Sequence, residues 1–275
     1  MSDKNDTIKY FKDKAKGYDL VENQIYWKFS DELLWFALKS YILDKLPESF
    51  CFFEGGAGTA RWSNKILENY PHSKGLVYDL SNDMLNVAIE KLQKYKERVE
   101  CKQGDLHNLS EIKNDFDLIF NFHNVLGFVE NPEKVLSEMK KHVKKGGYIV
   151  SFIPNLYHLI FFNVVQNSIS NAIRAYKNKT GKFTDDMPEI HLFTKKSIED
   201  LYKKVGMEVT FITGFPCTIY PNKQETQLVG SSEDIVEILS IENNFKQLLE
   251  LEKELMLDED ITSRGNNIFI VGKNT

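Results

Sequence analysis

The sequence FFEGGAGTARW, at residues 52–62, gives the strongest structural signal in this 275-residue chain. Two apolar residues lead into an acid, Glu54, and a glycine-rich loop follows before an amphipathic helical pattern begins. Because glycine has no Cβ, the backbone of such a loop can approach a ligand closely. The Glu54 carboxylate can accept hydrogen bonds from a cationic amine or from hydroxyls. The stretch therefore predicts a strand, a ligand-binding loop and a helix, and a ligand with a positively charged end.

Three kinds of glycine loop bind ligands in this way. A phosphate-binding P-loop needs a Lys and then Ser or Thr after its last glycine, but Thr59 and Ala60 follow Gly58. A dinucleotide loop needs a small residue where this chain has Arg61, and the acid would repel a pyrophosphate. S-adenosylmethionine (SAM), with its ammonium and sulfonium, suits the acid better. For the loop taken alone, an ordinary strand-to-helix turn stays open.

Acids also end the next two apolar runs. Asp79 lies 25 residues beyond Glu54, close to the ~20-residue spacing of a ribose-binding acid in a βαβ unit. Asp105 follows a third short strand and can accept from an adenine amino group, with the Leu106 backbone nearby. Met84 lies on the helix after Asp79, where core packing and an adenine contact are equal alternatives. The acids therefore predict a nucleoside site.

Strands and helices alternate through the middle of the chain. A fourth apolar run ends at Asn121, and a helical pattern containing Val135 and Val143 is predicted to stop at Gly146 and Gly147. A fifth strand follows at residues 148–153. Apolar strands that alternate with helices predict a parallel sheet covered on both faces, with ligands at the carboxyl ends of its strands.

Residues 50–153 resemble the core of the class I SAM-dependent methyltransferases, of the methyltransferase type 11/25 kind. The resemblance rests on Glu54 before Gly56-Ala57-Gly58, then on Asp79-Leu80-Ser81, Gly104-Asp105 and Phe116-Asp117-Leu118-Ile119, all in the family's order. Residues 191–209 resemble the family's next helix and sixth strand, and residues 266–272 its closing strand. The resemblance implies an α/β, Rossmann-like, mostly parallel seven-stranded sheet with helices on both faces, in which the last strand is antiparallel and lies beside the sixth.

The same resemblance implies SAM as the cofactor and supplies the candidate site. We expect the cofactor to be bound by Tyr18, Glu54, Gly55, Gly56, Gly58, Thr59, Asp79, Leu80, Met84, Asp105, Leu106, Asn121 and Phe122. His123, just past the fourth strand, is the candidate general base, since histidine titrates near neutral pH. His191 is the second catalytic candidate, as a substrate contact. We expect no metal.

Helical segments decorate this core. We expect residues 1–49 to form a helical cap, because residues 11–19 resemble the helix that closes over SAM in many relatives. Residues 50–275 then form the methyltransferase domain, with insertions at about 154–190 and 214–265. The first insertion is strongly apolar, which favours a small organic acceptor.

The predicted function is methyl transfer from SAM to an O or N atom of a small organic acceptor. Two alternatives stay open. Residues 123–129 resemble the fourth motif of tRNA wobble-uridine carboxyl methyltransferases, and a non-catalytic SAM-binding protein would carry the same cofactor site.

Composition restricts the partners. The net charge is −5, so a nucleic-acid partner is not expected. No apolar run reaches the ~18 residues of a membrane helix, and the N-terminus lacks the layout of a signal peptide. Three scattered cysteines indicate neither a disulfide framework nor a zinc site. We expect a cytoplasmic protein that is a monomer or a homodimer.

Overall fold

A seven-stranded sheet forms the centre of the computed structural model, which describes residues 4–275. The strands, in chain order, are β1 (Cys51–Gly55), β2 (Lys74–Asp79), β3 (Val99–Gln103), β4 (Phe116–Asn121), β5 (Val143–Pro154), β6 (Thr180–Gly181), β7 (Ile190–His191), β8 (Glu208–Phe215) and β9 (Asn267–Lys273). The short strands β6 and β7 pair only with each other.

The strand order of the sheet is β3-β2-β1-β4-β5-β9-β8. Strands β1 to β5 pair in parallel, whereas β9 is antiparallel to both of its neighbours, β5 and β8. This arrangement confirms the predicted Rossmann-like fold. It includes the closing strand, β9, which lies beside β8, the sixth strand of this sheet in chain order. The order reverses at β1 and β4, which is where ligands bind in open α/β sheets.

Eleven helices surround the sheet in the described part of the chain. They are α1 (Lys4–Lys14), α2 (Ile25–Tyr41), α3 (Arg61–Asn69), α4 (Asn82–Leu92), α5 (Val125–Phe128), α6 (Pro132–Lys140), α7 (Leu156–Val165), α8 (Ile169–Asn178), α9 (Lys195–Lys204), α10 (Glu233–Leu239) and α11 (Glu242–Leu255). Successive strand residues face opposite sides, so Phe52 and Phe53 belong to two different apolar clusters. Helices therefore cover both faces of the sheet.

Helices α4 and α9 begin at side-chain caps, and the predicted end of another helix is wrong. Ser81 caps α4 by accepting from the Met84 amide, and Thr194 caps α9. The predicted helix up to Gly146 instead ends at Lys140 in α6, and Val143 begins β5. Pairing with β4 outweighs the glycine signal there.

The two predicted insertions contain most of the remaining helices. Residues 154–190 hold α7, α8 and the β6–β7 pair, and residues 214–265 hold α10, α11 and the 3₁₀ helix Glu259–Arg264. The division of the chain into a cap at residues 1–49 and a methyltransferase domain at residues 50–275 stays a prediction. Within residues 4–275, no helix is long and apolar enough to cross a membrane, and no metal-binding group of His, Cys, Asp and Glu is found.

Candidate active site

A cavity of about 1140 Å³, partly open to solvent, lies at the carboxyl ends of β1 to β4. The loop after β1 forms its floor, and α1 lies across it through Lys4, Thr7, Ile8 and Phe11. Eleven of the predicted cofactor residues line it: Tyr18, Glu54, Gly56, Gly58, Thr59, Asp79, Leu80, Met84, Asp105, Leu106 and Phe122. Their roles in binding stay predictions.

The loop after β1 adopts left-handed backbone angles that favour glycine. The φ angle is +69° at Gly56 and +55° at Gly58. A Cβ on Gly56 would lie 2.6 Å from the Val125 methyl groups, whereas a Cβ on Gly58 would meet nothing within 4 Å. The loop is therefore tightly packed at Gly56, and at Gly58 it leaves room for a ligand.

Glu54 is buried at the end of β1 and has a structural role that the sequence did not reveal. Its Oε2 accepts from the backbone amide of Ser63, at 3.0 Å, and from the Ser63 hydroxyl. Ala60, the residue before α3, provides no side-chain cap, so Glu54 caps this helix from a distance. Burial raises the pKa of Glu54 to about 7. Its other oxygen, Oε1, is the one that can accept from a ligand amine.

Asp79 ties the glycine loop to the end of β2. Its Oδ2 accepts from the Gly58 amide and its Oδ1 from the Ser81 amide, both at 2.7 Å. Burial raises the pKa of Asp79, against the pull of these amides. Each oxygen keeps a lone pair, so the carboxylate can also accept from ribose hydroxyls.

Asp105 is engaged by other residues of the chain. Its Oδ2 accepts from Lys4 Nζ at 2.8 Å, and its Oδ1 lies 2.7 Å from His107 Nδ1. Burial acts to raise the pKa of Asp105, but the bonds from Lys4 and His107 outweigh it and lower the pKa to about 2. His107 also lines the cavity.

His123 lies in a cluster with Trp62 and Arg61 at the far wall. Its Nε2 accepts from Trp62 Nε1 at 2.8 Å and lies 3.2 Å from Arg61 Nη2. Burial, and then the positive charge of Arg61, lower the pKa of His123 to about 3. Arg61 is itself paired with Asp31, at 3.0 Å, and with Glu22, at 3.1 Å. His123 is therefore neutral, with its Nε2 lone pair occupied.

Three predicted site residues lie outside the cavity lining. Asn121 is fully buried, with its amide nitrogen 3.7 Å from Met139 Sδ, while its side-chain oxygen has no hydrogen-bond partner among residues 4–275. Gly55 packs behind the loop, where a Cβ would lie 2.8 Å from Met139. His191 lies beside the Glu130 carbonyl, at 3.2 Å, and lines neither this cavity nor the neighbouring one. Each of the three is the last residue of a strand, and their roles in the site stay predictions.

A second cavity, of about 1030 Å³, adjoins the first. The two share a wall of five residues: Phe11, Tyr18, Arg61, His123 and Phe128. The rest of the second cavity combines an apolar part with polar side chains. The apolar part comes from Tyr10, Val21, Trp27, Phe183, Met187, Pro221 and Leu228, and the polar side chains are those of Lys14, Asn124, Thr184, Glu225, Thr226, Gln227, Asn266 and Asn267. Sequence reasoning missed this cavity, because its lining comes from the N-terminal helices and both insertions.

Comparison with known proteins agrees with this geometry. Residues 53–147 match a family model described as a methyltransferase domain. The chain carries a class I, Rossmann-like methyltransferase domain. The methyltransferase is 28% identical over 153 residues to malonyl-[acyl-carrier protein] O-methyltransferase 2 of Ilyobacter polytropus, covering 54% of each chain.

Solved structures share the whole fold of this methyltransferase. A SAM-dependent methyltransferase of Thermotoga maritima, a possible histamine N-methyltransferase, has a TM-score of 0.58 at 18% identity and covers 98% of this chain and 99% of its own. Phosphoethanolamine N-methyltransferase 2 of Haemonchus contortus, in complex with SAM, has a TM-score of 0.58 at 15% identity and covers 96% of this chain. The methyltransferase spans only about half the length of this last protein and of the Ilyobacter enzyme, at 57% and 54%.

The class I fold supports SAM as the cofactor, and the lining of the first cavity fits that molecule. Four carboxylates, of Glu54, Asp79, Asp105 and Glu130, line it, and its two cations, Lys4 and Arg61, are each paired with acids. This net negative charge would repel a pyrophosphate, whereas it attracts a nucleoside with a cationic tail.

Proposed function

We propose that this methyltransferase transfers the methyl group of SAM to a small organic acceptor whose reacting O or N atom arrives without a proton, a carboxylate oxygen above all. The acceptor occupies the second cavity. The observation that carries this proposal is the state of His123 in the wall between the two cavities: its pKa is lowered to about 3 and its Nε2 is already hydrogen-bonded.

Tyr18 and Glu225, which also line the second cavity, are not free bases either. Burial raises the pKa of Tyr18 to about 12, so its phenol stays protonated at neutral pH. Among the described residues, Glu225 is the second cavity's one carboxylate. Its Oε1 accepts from Ser231 and Ser232, and its Oε2 accepts from Asn222. An acceptor that needs deprotonation would find no group here to take its proton, which favours a carboxylate or a neutral amine.

Charge and hydrogen-bond donors favour the carboxylate. Lys14 and Arg61 both line the second cavity, and the acids that pair with them, Asp186 and Asp31, do not. The carboxylate of Glu225 already accepts three hydrogen bonds. The side-chain oxygen of Asn124 accepts from Asn267 Nδ2 at 2.7 Å, which leaves the Asn124 amide nitrogen as a donor at the cavity wall. An aromatic cavity with a few such donors suits an acceptor with an apolar body and an anionic end.

When bound, SAM supplies an electrophilic methyl group that an unprotonated oxygen or nitrogen can attack. The chain's own contribution is positioning, since the shared wall aligns the contents of the two cavities. Such alignment can remove about 7–11 kcal/mol of a barrier. Phe11 and Phe128, whose ring centroids are 5.1 Å apart, close the wall with apolar surface that excludes water. His123 then serves as a positioning residue that holds Trp62 and Arg61 in this wall.

The test is a matched set of acceptors with one carbon skeleton and either a carboxylate, an amine or a hydroxyl. We expect S-adenosylhomocysteine release with the carboxylate, and an ester product that alkali hydrolyses. With the carboxylate and saturating SAM, the rate should be flat above about pH 5, because the acceptor's own pKa is near 4.3. Gly56→Val is the control that lacks cofactor binding.

Three outcomes would contradict this assignment. Turnover of the alcohol together with a rate that rises through the range of an ordinary histidine would restore His123 as a base. Methylation of added tRNA, with no small acceptor used, would select the wobble-uridine alternative. Tight SAM binding with no turnover across the set would favour a non-catalytic SAM-binding protein.

A further inference from the structure

The hairpin formed by α7 and α8 exposes an unusual amount of apolar side chain. On α7 the exposed residues are Tyr157, Phe161, Val164 and Val165, and on α8 they are Ile169, Ile173 and Tyr176, each between 46% and 60% exposed. Their spacing places them along one stripe of each helix. The opposite sides of the helices, through Leu159, Phe162 and Ala175, pack into a small core of their own. Exposed apolar surface on this scale marks an interaction site.

The charges around these stripes all have one sign. Residues 155–184 contain Arg174, Lys177, Lys179 and Lys182 and no Asp or Glu, although the whole chain has a net charge of −5. Within residues 4–275, Arg174, Lys177 and Lys182 have no ion pair. The nearest acids along the chain are Asp185 and Asp186, and the latter is paired with Lys14.

From this combination we propose that the α7–α8 hairpin docks on an anionic lipid surface, with its apolar stripes in the interface and its cations at the headgroups. Apolar side chains beside Lys and Arg are the pattern of helices that lie in the plane of a membrane interface. Cations near such a surface contribute through the negative surface potential. None of the described helices can cross the membrane, so the contact is peripheral.

A second copy of this chain fits the surface less well. A two-fold interface sets the same patch against itself, so the four cations of one hairpin would face those of the other. Like charges brought together in this way oppose association. An anionic surface neutralises them instead.

The hairpin also leads towards the second cavity. A third cavity is lined by Phe162 and by the cations Arg174 and Lys182, and it shares Lys14 and Phe183 with the second cavity. This route allows an amphipathic acceptor to pass from the lipid surface to the methyl-transfer site, a step that rests on the proposed function. The docking itself does not, and it is measured without acceptor or cofactor.

The experiment is co-sedimentation of the full-length chain with phosphatidylcholine vesicles that contain or lack phosphatidylglycerol. We expect binding to the anionic vesicles only, and weaker binding at high salt. Phe161→Asp with Val165→Asp should weaken binding about tenfold or more, since apolar burial is lost and negative charge is added. Leu257→Asp, at an exposed leucine outside the hairpin, should leave binding unchanged.

Two double variants, each with two cations removed, separate the electrostatic contribution to docking from the apolar one. Arg174→Gln with Lys177→Gln should weaken binding by about fivefold for each cation removed. The double variant Lys28→Gln with Lys113→Gln changes the net charge equally at exposed sites elsewhere and should have no effect. Thermal unfolding and SAM affinity by calorimetry check that each variant is folded.

Several results would overturn the proposal. If the wild-type protein sediments with neither kind of vesicle, the hairpin is not a lipid-docking surface. Equal loss of binding in the hairpin and control variants would assign the effect to net charge alone. A dimer in light scattering that Phe161→Asp converts to a monomer, without vesicle binding, would assign the surface to a second copy. Since SAM affinity is measured in parallel, none of these results is confused with failure of the methyltransferase assignment.

Discussion

Replacing Glu54 by Gln should remove a pH dependence from SAM binding. Burial raises the pKa of Glu54 to about 7, so the free protein is partly protonated there at neutral pH. The ammonium of SAM favours the ionised carboxylate, so binding must expel the proton. The side-chain oxygen of the Glu54→Gln variant can still accept from Ser63 and keep the cap on α3, which preserves the fold.

The size of the effect follows from the pKa. The apparent dissociation constant increases as the protonated fraction of the free site grows. For a pKa of about 7, affinity should fall about eightfold between about pH 7.5 and about pH 6. Glu54→Gln should bind SAM more weakly throughout and show no such fall.

Isothermal titration calorimetry measures both proteins at both pH values. The ligand's own α-amino group titrates near 7.7–8.0, and the Glu54→Gln variant reports that contribution separately. Repeating the titration in buffers of different ionisation enthalpy should show about half a proton released by the wild-type protein near pH 7, and about one proton near pH 6. Equal pH slopes for the two proteins, or no proton release, would mean that Glu54 does not meet a cation.

The same carboxyl predicts how the stability of the free protein depends on pH. Because the pKa of Glu54 is raised in the folded state, its contribution is complete below the ordinary pKa of 4.5 and is lost as the pH rises through about 7. A rise of this size corresponds to about 3 kcal/mol. Chemical unfolding at acid and at neutral pH should therefore show a fall in the free energy of unfolding that Glu54→Gln lacks.

Asp79→Ala should weaken SAM binding by about 1.5–3 kcal/mol, the value of charge-assisted hydrogen bonds, and calorimetry with unchanged affinity would remove Asp79 from the site. Gly56→Val should abolish SAM binding because a side chain there meets α5 at 2.6 Å. Gly58→Ala, whose Cβ would meet nothing within 4 Å, should weaken binding only through backbone strain. Retained binding by the valine variant would show that the ligand lies elsewhere. His123→Asn should lower turnover with little change in SAM affinity, and it should leave the shape of the pH–rate profile unchanged. If the variant instead loses the rise of the rate with pH, His123 acts as a base. Trp62→Phe frees Nε2 of His123, so an NMR titration should show its pKa higher than in the wild-type protein.

The local pattern was enough to predict the fold class. Apolar runs and glycine loops act over a few residues, so β1 to β5 could be predicted directly. The antiparallel closing strand came from family resemblance. The end of α6 was missed because pairing with β4 replaced a local glycine signal.

The first cavity was largely predictable, because acids at the ends of parallel strands must share one edge. Glu54, Asp79 and Asp105 therefore lie together as expected. Their hydrogen-bond partners were not predictable, since the Lys4 ammonium that engages Asp105 is 101 residues away in sequence. The same applies to the contact of the Asn121 amide nitrogen with Met139 Sδ.

Order along the chain thus fixed where the strands end and which acids follow them, since those properties depend on short-range periodicity and turns. The lowered pKa of His123 depends on burial and on Arg61, about sixty residues earlier. The second cavity combines N-terminal helices with loop residues near the other end of the chain. Burial and contacts between distant segments set these features. They exist only once the chain is folded, because only folding removes water from these groups and brings the segments together.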